Sequence, residues 1–299
     1  MKILRTPDSA FENLEDYSFN ENYCTVGNGL RLHYLDEGNP KHPLVLLLHG
    51  EPSWSYLYRK MIPILVNGGL RVIAPDLIGF GKSDKPAEQK DYTYAKHINW
   101  VQNLLDHLDL KDINMFVQDW GGLIGLRLLS VNPDNFKSVV AANTMLPTGS
   151  MTPPQAFLDW QKFAATSPIF DVATVIQKAT NTVLSDEVMK AYNAPFPENE
   201  YKAGARVFPA LVPTSEKDPE SNNNKDAWKI LIQWNKPFLN VFSDQDPITK
   251  GGDQVFQKLI PGTNGMNHET IPGGHFLQED SGPMIAKLMV DFYKENNVI

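Results

Sequence analysis

Residues 44 to 48 read Leu-Val-Leu-Leu-Leu, an unbroken apolar run that lacks the alternation of a half-exposed strand. Such a run suits a strand covered on both faces, which calls for a parallel sheet with helices above and below it. Comparable runs recur at Val72 to Ala74, Asn114 to Val117 and Ser138 to Ala141, and again at Phe238 to Phe242 and His268 to Ile271. Helical patterns lie between them, clearest from Tyr94 to Leu108, where Ile98, Val101, Leu104, Leu105 and Leu108 share a face. The expected class is α/β, a mostly parallel central sheet flanked by helices.

The strand signal stops between about Thr148 and Trp228. Helical segments around Phe157 to Phe163 and Ser185 to Tyr192 are separated there by proline-containing loops and by the polar tract Ser221 to Lys225. We read residues 148–228 as a helical cap inserted into a main domain made of residues 1–147 and 229–299. The chain closes on an amphipathic helix carrying Met284, Ile285, Leu288, Met289 and Phe292.

The chemistry is concentrated in Asn-Met-Phe-Val-Gln-Asp-Trp-Gly-Gly, residues 114 to 122, where an apolar run ends in Asp119 and two glycines open a helix. This is the form of a nucleophile elbow, a turn so sharp that small residues such as Gly121 are needed beside the nucleophile. It departs from Gly-x-Ser-x-Gly with Val117 at the first glycine and Asp119 at the serine. A serine must lose a proton before it attacks, whereas aspartate, with an ordinary pKa of ~3.9, is a ready-made anion at neutral pH. A carboxylate suits displacement at saturated carbon and leaves an alkyl ester on the protein, so halides and epoxides are the natural substrates. The plainer alternative is that Asp119 only caps the following helix.

Hydrolysis of that ester needs a base, and His275 in Pro-Gly-Gly-His-Phe-Leu-Gln-Glu follows the last strand run. The order nucleophile, acid, histidine is that of α/β-hydrolases, which puts the acid in Ser-Asp-Gln-Asp-Pro after Phe238 to Phe242. Asp246 is preferred there and Asp244 comes second. An oxyanion hole would use the N–H groups of Trp120 and Glu51, with Glu51 in the loop His49-Gly50-Glu51-Pro52 after a buried strand. The Glu51 carboxylate is also available to hold a water or His275. Indole N–H groups suit a departing halide, so Trp120 is one donor and Trp160, among the cap tryptophans, the best-placed second.

At these residues the chain resembles the haloalkane dehalogenases. The likeness rests on His-Gly-Glu-Pro-Ser-Trp, Val-Ile-Ala-Pro-Asp-Leu-Ile-Gly-Phe-Gly-Lys-Ser-Asp, Val-Gln-Asp-Trp-Gly-Gly and Gly-Gly-His-Phe-Leu-Gln-Glu. Arg-Thr-Pro-Asp near the start and Ala-Pro-Phe-Pro in the cap extend it over nearly the whole chain. It is most similar to the subgroup with Glu after His-Gly and a cap tryptophan as second halide donor. The resemblance implies an α/β-hydrolase fold, Asp119 as nucleophile, Asp246 as acid, His275 as base and Trp120 as a halide donor, and it supports Trp160. The rival activity is an epoxide hydrolase with the same triad, for which Tyr192 and Tyr201 would supply the proton. A non-catalytic binding module is a second rival, opposed by the intact nucleophile, acid and base.

The partners implied are a small apolar halogenated substrate and the halide ion. Phe157, Phe163, Phe170 and Val172 suggest an apolar pocket for the former. With 35 acidic against 27 basic residues and no long basic cluster, nucleic acid is not an expected partner. No apolar run approaches the ~20 residues of a membrane span, and nothing near Met1 reads as an export signal. A single cysteine, Cys24, allows no intrachain disulfide and fits a reducing cytoplasm. No cofactor or metal is expected. Oligomeric state is left open, a monomer being compatible with everything above.

Overall fold

A computed structural model describes all 299 residues, Met1–Ile299. The strands are β1 (Ile3–Leu4), β2 (Asn22–Val26), β3 (Leu30–Glu37), β4 (Leu44–Leu48), β5 (Arg71–Pro75), β6 (Lys85–Pro86), β7 (Ile113–Gln118), β8 (Phe136–Ala142), β9 (Phe238–Ser243) and β10 (Glu269–Ile271). The helices are α1 (Ile62–Asn67), α2 (Tyr94–His107), α3 (Trp120–Val131), α4 (Gln155–Thr166), α5 (Val172–Lys178), α6 (Asp186–Asn193), α7 (Ala203–Val207), α8 (Ser221–Leu231), α9 (Gly252–Leu259) and α10 (Leu277–Glu295).

Eight strands form one sheet in the order β10-β9-β8-β7-β4-β5-β3-β2, while β1 and β6 make a separate antiparallel ribbon. Strands β4, β5, β7, β8, β9 and β10 pair in parallel, and β3 and β2 join antiparallel at one side. Every residue of β4 and β7 is buried, the consequence of helices on both faces. Strand β7 is central, with Leu48 of β4 opposite Val117 on one side and Ala141 of β8 on the other. The residue that follows β7 therefore emerges in the middle of the carboxyl edge, where α/β sheets bind ligands.

The expected α/β class is met, and each named strand run coincides with a strand, except that β10 begins at Glu269, one residue after His268. Between β8 and β9 the chain is helical, carrying α4 through α8. Two expectations need correction. The polar tract Ser221 to Lys225 is the first part of α8 rather than a loop. Its polar groups are taken up by tertiary hydrogen bonds: Ser221 Oγ donates to Thr148 O at 2.6 Å, Asn224 Nδ2 to Pro147 O at 2.7 Å, and Arg127 Nη1 to Asn224 Oδ1 at 2.9 Å. Those bonds outweigh a weak local preference, and position 228 falls inside the helix. In α10, Ile285, Met289 and Phe292 are buried but Met284 is 49% exposed.

One buried ion pair ties the start of α10 to the loop after β4. Arg59 Nη2 donates to Glu279 Oε2 at 2.9 Å, and both side chains are almost fully buried. Tyr192 and Lys60 also donate to Glu279. Burial alone would raise the Glu279 carboxyl, but Arg59 beside it holds the pKa below the ordinary value. Removing one partner strands a buried charge. Arg59→Met is expected to lose about 3–5 kcal/mol of stability in urea denaturation, and Arg59→Met with Glu279→Leu to recover most of it.

Candidate active site

At the end of β7 the chain turns into α3 through Asp119, whose φ of 51° and ψ of −124° are unusual for a residue with a side chain. The turn closes because Gly121 has no Cβ, which would lie 1.9 Å from Leu48 O. Opposite, a Cβ on Gly50 would lie 2.5 Å from Asp119 Cβ. Asp119 stands at the head of α3, yet its side chain caps nothing. Its Oδ1 accepts the Glu51 N–H at 2.7 Å, while its backbone carbonyl accepts the Thr144 hydroxyl at 2.7 Å and the Gly122 N–H at 2.9 Å. The backbone is held and the carboxylate is left facing open space.

His275 lies between two carboxylates, with Nε2 3.4 Å from Asp119 Oδ2 and Nδ1 3.0 Å from Asp246 Oδ2. Asp246 also accepts the Ile248 N–H at 2.9 Å and the Thr249 hydroxyl. Asp244, the second choice from sequence, instead accepts the Gly273 N–H at 3.1 Å and makes no contact with the imidazole. Three further residues hold the histidine loop. Gln118 Nε2 donates to His275 O at 3.1 Å, Asn143 Nδ2 donates to His275 O at 3.1 Å and to Gly274 O at 3.0 Å, and Ser243 Oγ donates to Gly274 O at 2.7 Å. None of these was singled out from the sequence. The available signal was position, since each sits at or just beyond the carboxyl end of β7, β8 or β9.

Burial disfavours a charged imidazole, but the Asp246 carboxylate and then Asp119 outweigh it and raise the His275 pKa to about 10. Burial likewise opposes the Asp246 charge, and His275 overcomes it, holding that carboxyl at about 2. Glu51 goes the other way: burial, with the Asp119 charge added, pushes its carboxyl well above the ordinary value. The Trp160 indole opposes that shift, and Glu51 Oε1 is buried without a hydrogen-bond partner.

Glu51, Asp119, Trp120, Trp160 and His275 all line one cavity of about 1460 Å³, with Asp246 behind the histidine. Three of the six tryptophans line the cavity, Trp120, Trp160 and Trp228, and their N–H groups distinguish them. Trp54 donates to Ala191 O at 3.2 Å and Trp228 to Leu146 O at 2.8 Å, whereas Trp120 and Trp160 face the cavity and donate to no backbone carbonyl. Trp120 is wedged edge-on between Tyr94 and Phe208, at 5.0 and 4.6 Å, and Trp160 stacks on Phe163 at 5.9 Å. Phe157 and Phe163 line the cavity, but Phe170 and Val172 do not. Both are buried in the helical segment, where Phe170 packs under Trp160 at 5.8 Å. The cavity lining contains no tyrosine. Tyr192 is spent on Glu279 and Tyr201 lies elsewhere, so the proton donors of the epoxide alternative do not reach the site.

A strand–elbow–helix turn on a mostly parallel sheet, with a histidine and its acid on the loops after later strands, defines an α/β-hydrolase. A family model of the alpha/beta hydrolase fold matches residues 43–282. The chain is 58% identical to a haloalkane dehalogenase of Psychrobacter cryohalolentis over 99% of each chain, and 49% identical to one of Mycolicibacterium paratuberculosis over 98% of each. It is also similar to a haloalkane dehalogenase of Paraglaciecola agarilytica solved as a tetramer, with a TM-score of 0.89 and 35% identity over 96% of this chain and 97% of that one. The chain belongs to the haloalkane dehalogenase family. No helix in it is long and apolar enough to cross a membrane.

The charges on His275 and Asp246 give a pH signature. A histidine raised from 6.5 to about 10 adds stability that is complete below pH 6.5 and lost as pH rises through about 10. An aspartate lowered from 3.8 to about 2 adds stability that is complete above pH 3.8 and lost as pH falls through about 2. The stability deficit of Asp246→Asn against the unaltered chain is therefore expected to peak between pH 3.8 and 6.5 and to shrink toward pH 10. Urea midpoints measured across that range read it, and a deficit independent of pH refutes the assignment.

Proposed function

We propose that this protein hydrolyses haloalkanes to alcohol, halide and a proton through an alkyl ester on Asp119. The observation that carries the reading is the Asp119 carboxylate itself, anchored at Oδ1 by the Glu51 N–H at 2.7 Å and open at Oδ2 toward the cavity and His275. Oδ2 attacks the carbon that bears the halogen. The carbon–halogen bond breaks with its electron pair on the halide, and an Oδ2–carbon ester bond forms. The indole N–H groups of Trp120 and Trp160, both residues of the cavity wall, take the departing anion. Burial, with the Asp119 charge added, pushes the Glu51 carboxyl well above its ordinary pKa, which weakens its repulsion of the departing anion.

Alkylation changes the histidine. While Asp119 is ionised its charge strengthens the hold of His275 on a proton. The ester removes that charge, so the proton is held less tightly and neutral His275 becomes available as a base. It takes a proton from water, the hydroxide adds to the Asp119 carboxyl carbon, and the charge that develops on Oδ1 meets the Glu51 N–H already in place. The Trp120 N–H is the second donor we assign to that oxyanion. Collapse breaks the bond between the carboxyl carbon and Oδ2, the alcohol leaves with that oxygen and the proton held by His275, and the water oxygen completes the new carboxyl group, which releases its proton. Asp246 keeps the Nδ1 proton in position and stabilises the imidazolium.

In this reading residues 148–228 act as a cap that supplies Trp160 and closes the apolar side of the cavity over the main domain, residues 1–147 and 229–299. A cytoplasmic setting is supported by the single free cysteine, Cys24, which is buried.

The purified protein is expected to release halide from 1,2-dibromoethane and 1-bromobutane, and Asp119→Ala to release none. His275→Phe should release one halide per chain and then stop, with the alkyl group detectable on Asp119 by mass spectrometry. Steady release from that variant sinks the two-step scheme. Trp120→Phe and Trp160→Phe should each weaken bromide binding about tenfold or more, read by quenching of the remaining tryptophan fluorescence.

A further inference from the structure

The two sides of the histidine loop are held by different parts of the chain. Its carbonyls, those of Gly274 and His275, accept hydrogen bonds from Gln118, Asn143 and Ser243, which belong to the main sheet. Its N–H groups turn the other way. The Gly274 N–H donates to Asp280 Oδ2 at 2.8 Å, and the Phe276 N–H donates to Ala179 O at 3.1 Å, at the end of α5. His275 therefore lies between two N–H groups that are both tied outside the sheet.

Asp280 does more than hold Gly274. Its Oδ1 accepts the Thr182 N–H at 2.7 Å and the Asn181 N–H at 3.0 Å, so one carboxyl group joins the loop of the base to the helical segment between β8 and β9. Hydrogen bonds to a carboxylate are roughly twice as strong as neutral ones. The approach of the two segments is close enough to need glycine, since a Cβ on Gly274 would lie 2.5 Å from Ala179 O. Asp280 stands in the first turn of α10, which is broken at Ser281 (φ −136°, ψ 21°). The Ser281 hydroxyl donates to Pro272 O at 2.8 Å, so both residues at the break bond to the segment that carries His275.

We propose that Asp280 is a positioning residue for the base, and that the edge of the cap at residues 179–182 shares the task by holding Asp280 and the Phe276 N–H. The proposal rests on the dehalogenase reading above and gives the cap a second duty, that of placing His275. Misplacing a reacting group by ~1 Å can cost on the order of a hundredfold in rate. Only one of the two chemical steps uses His275 as a base. Attack by Asp119 needs the carboxylate alone, so a loosened base should slow hydrolysis of the ester and spare its formation.

The test is rapid mixing with 1,2-dibromoethane, acid quenching and mass spectrometry of the chain alkylated on Asp119, which gives the rates of ester formation and ester decay separately. Asp280→Asn keeps the size of the side chain but turns an NH2 group against part of its ring of N–H donors. Thr182→Pro removes one donor from the cap side and leaves Asp280 and Gly274 in place. Ester decay is expected to slow about tenfold or more in Asp280→Asn and about threefold or more in Thr182→Pro, with ester formation within about twofold of the unaltered chain. Unchanged decay in either folded variant, or formation and decay slowed alike, overturns the proposal while the dehalogenase reading stands. Failure of both variants to fold, read by circular dichroism, overturns it as well, because the contacts are then purely structural. Absence of both ester and halide with the unaltered chain overturns the dehalogenase reading itself.

Discussion

Everything the site does depends on the turn at Asp119. A residue with a side chain is held at φ 51° and ψ −124°, a conformation that costs on the order of 1–3 kcal/mol unless the surroundings impose it. Here they do. The Asp119 carbonyl is fixed by Thr144 and Gly122, and its N–H donates to Asn143 O at 3.1 Å. The helix can approach β4 only because Gly121 presents no Cβ to Leu48 O. With its backbone bonds satisfied by neighbours, Asp119 has no local use for its carboxylate, which distinguishes it from a helix cap. The strain is the means by which a charged oxygen is directed away from the backbone that would otherwise absorb it.

The second constraint is electrostatic. Two carboxylates flank one buried imidazole, and a third, that of Glu51, has its pKa raised by burial and then by the Asp119 charge. The groups are arranged so that the charge on one governs the protonation of the next. The Asp119 charge adds to the hold of His275 and Glu51 on a proton, and an esterified Asp119 relaxes both pressures at once. No separate switch is needed to convert His275 from an imidazolium beside a nucleophile into a base beside an ester. Asp246 is insulated from this change by the N–H groups of Ile248 and Thr249 as well as by the imidazole, which is why a turn aspartate before a proline and a histidine-orienting acid are the same residue here.

How legible each part was in the sequence follows from how local its determinants are. The buried strands β4, β7 and β9 announced themselves because a strand covered on both faces is mostly apolar, with the few polar residues such as Asn114 and Asn240 tied to partners inside the fold. The elbow did so because its geometry demands glycine. The antiparallel strands β2 and β3 were not named, although Asn28-Gly29 between them is a hairpin signal that the structure uses, with φ of 65° and 72°. Asp244 and Asp246 are separated only by which of them meets Nδ1, a distance set by the loop from β10 and invisible in one sequence. Gln118 and Asn143 escaped notice because an amide beside an active site has no composition signature until its acceptors are known.

The helical segment between β8 and β9 was the least legible part, and the reason bears on what it does. Its helices are short, from five to twelve residues, with α5 packed on α6 and α4 on α7, while α8 lies against α3 of the main domain. Phe157, Phe163 and Phe170 look equivalent from sequence, yet two face the cavity and one is packing beneath Trp160. That distinction depends on how α4 sits against the segment that carries Phe170, and α4 is held by contacts distant in sequence such as Gln161 Nε2 donating to Pro209 O at 3.0 Å. The main sheet fixes the reacting groups through strand ends that tolerate little change, whereas the cavity wall is built from contacts that a few substitutions can re-register. Chemistry and selectivity are thus carried by regions with different physical rigidity, and only the first is written in patterns that a single sequence displays.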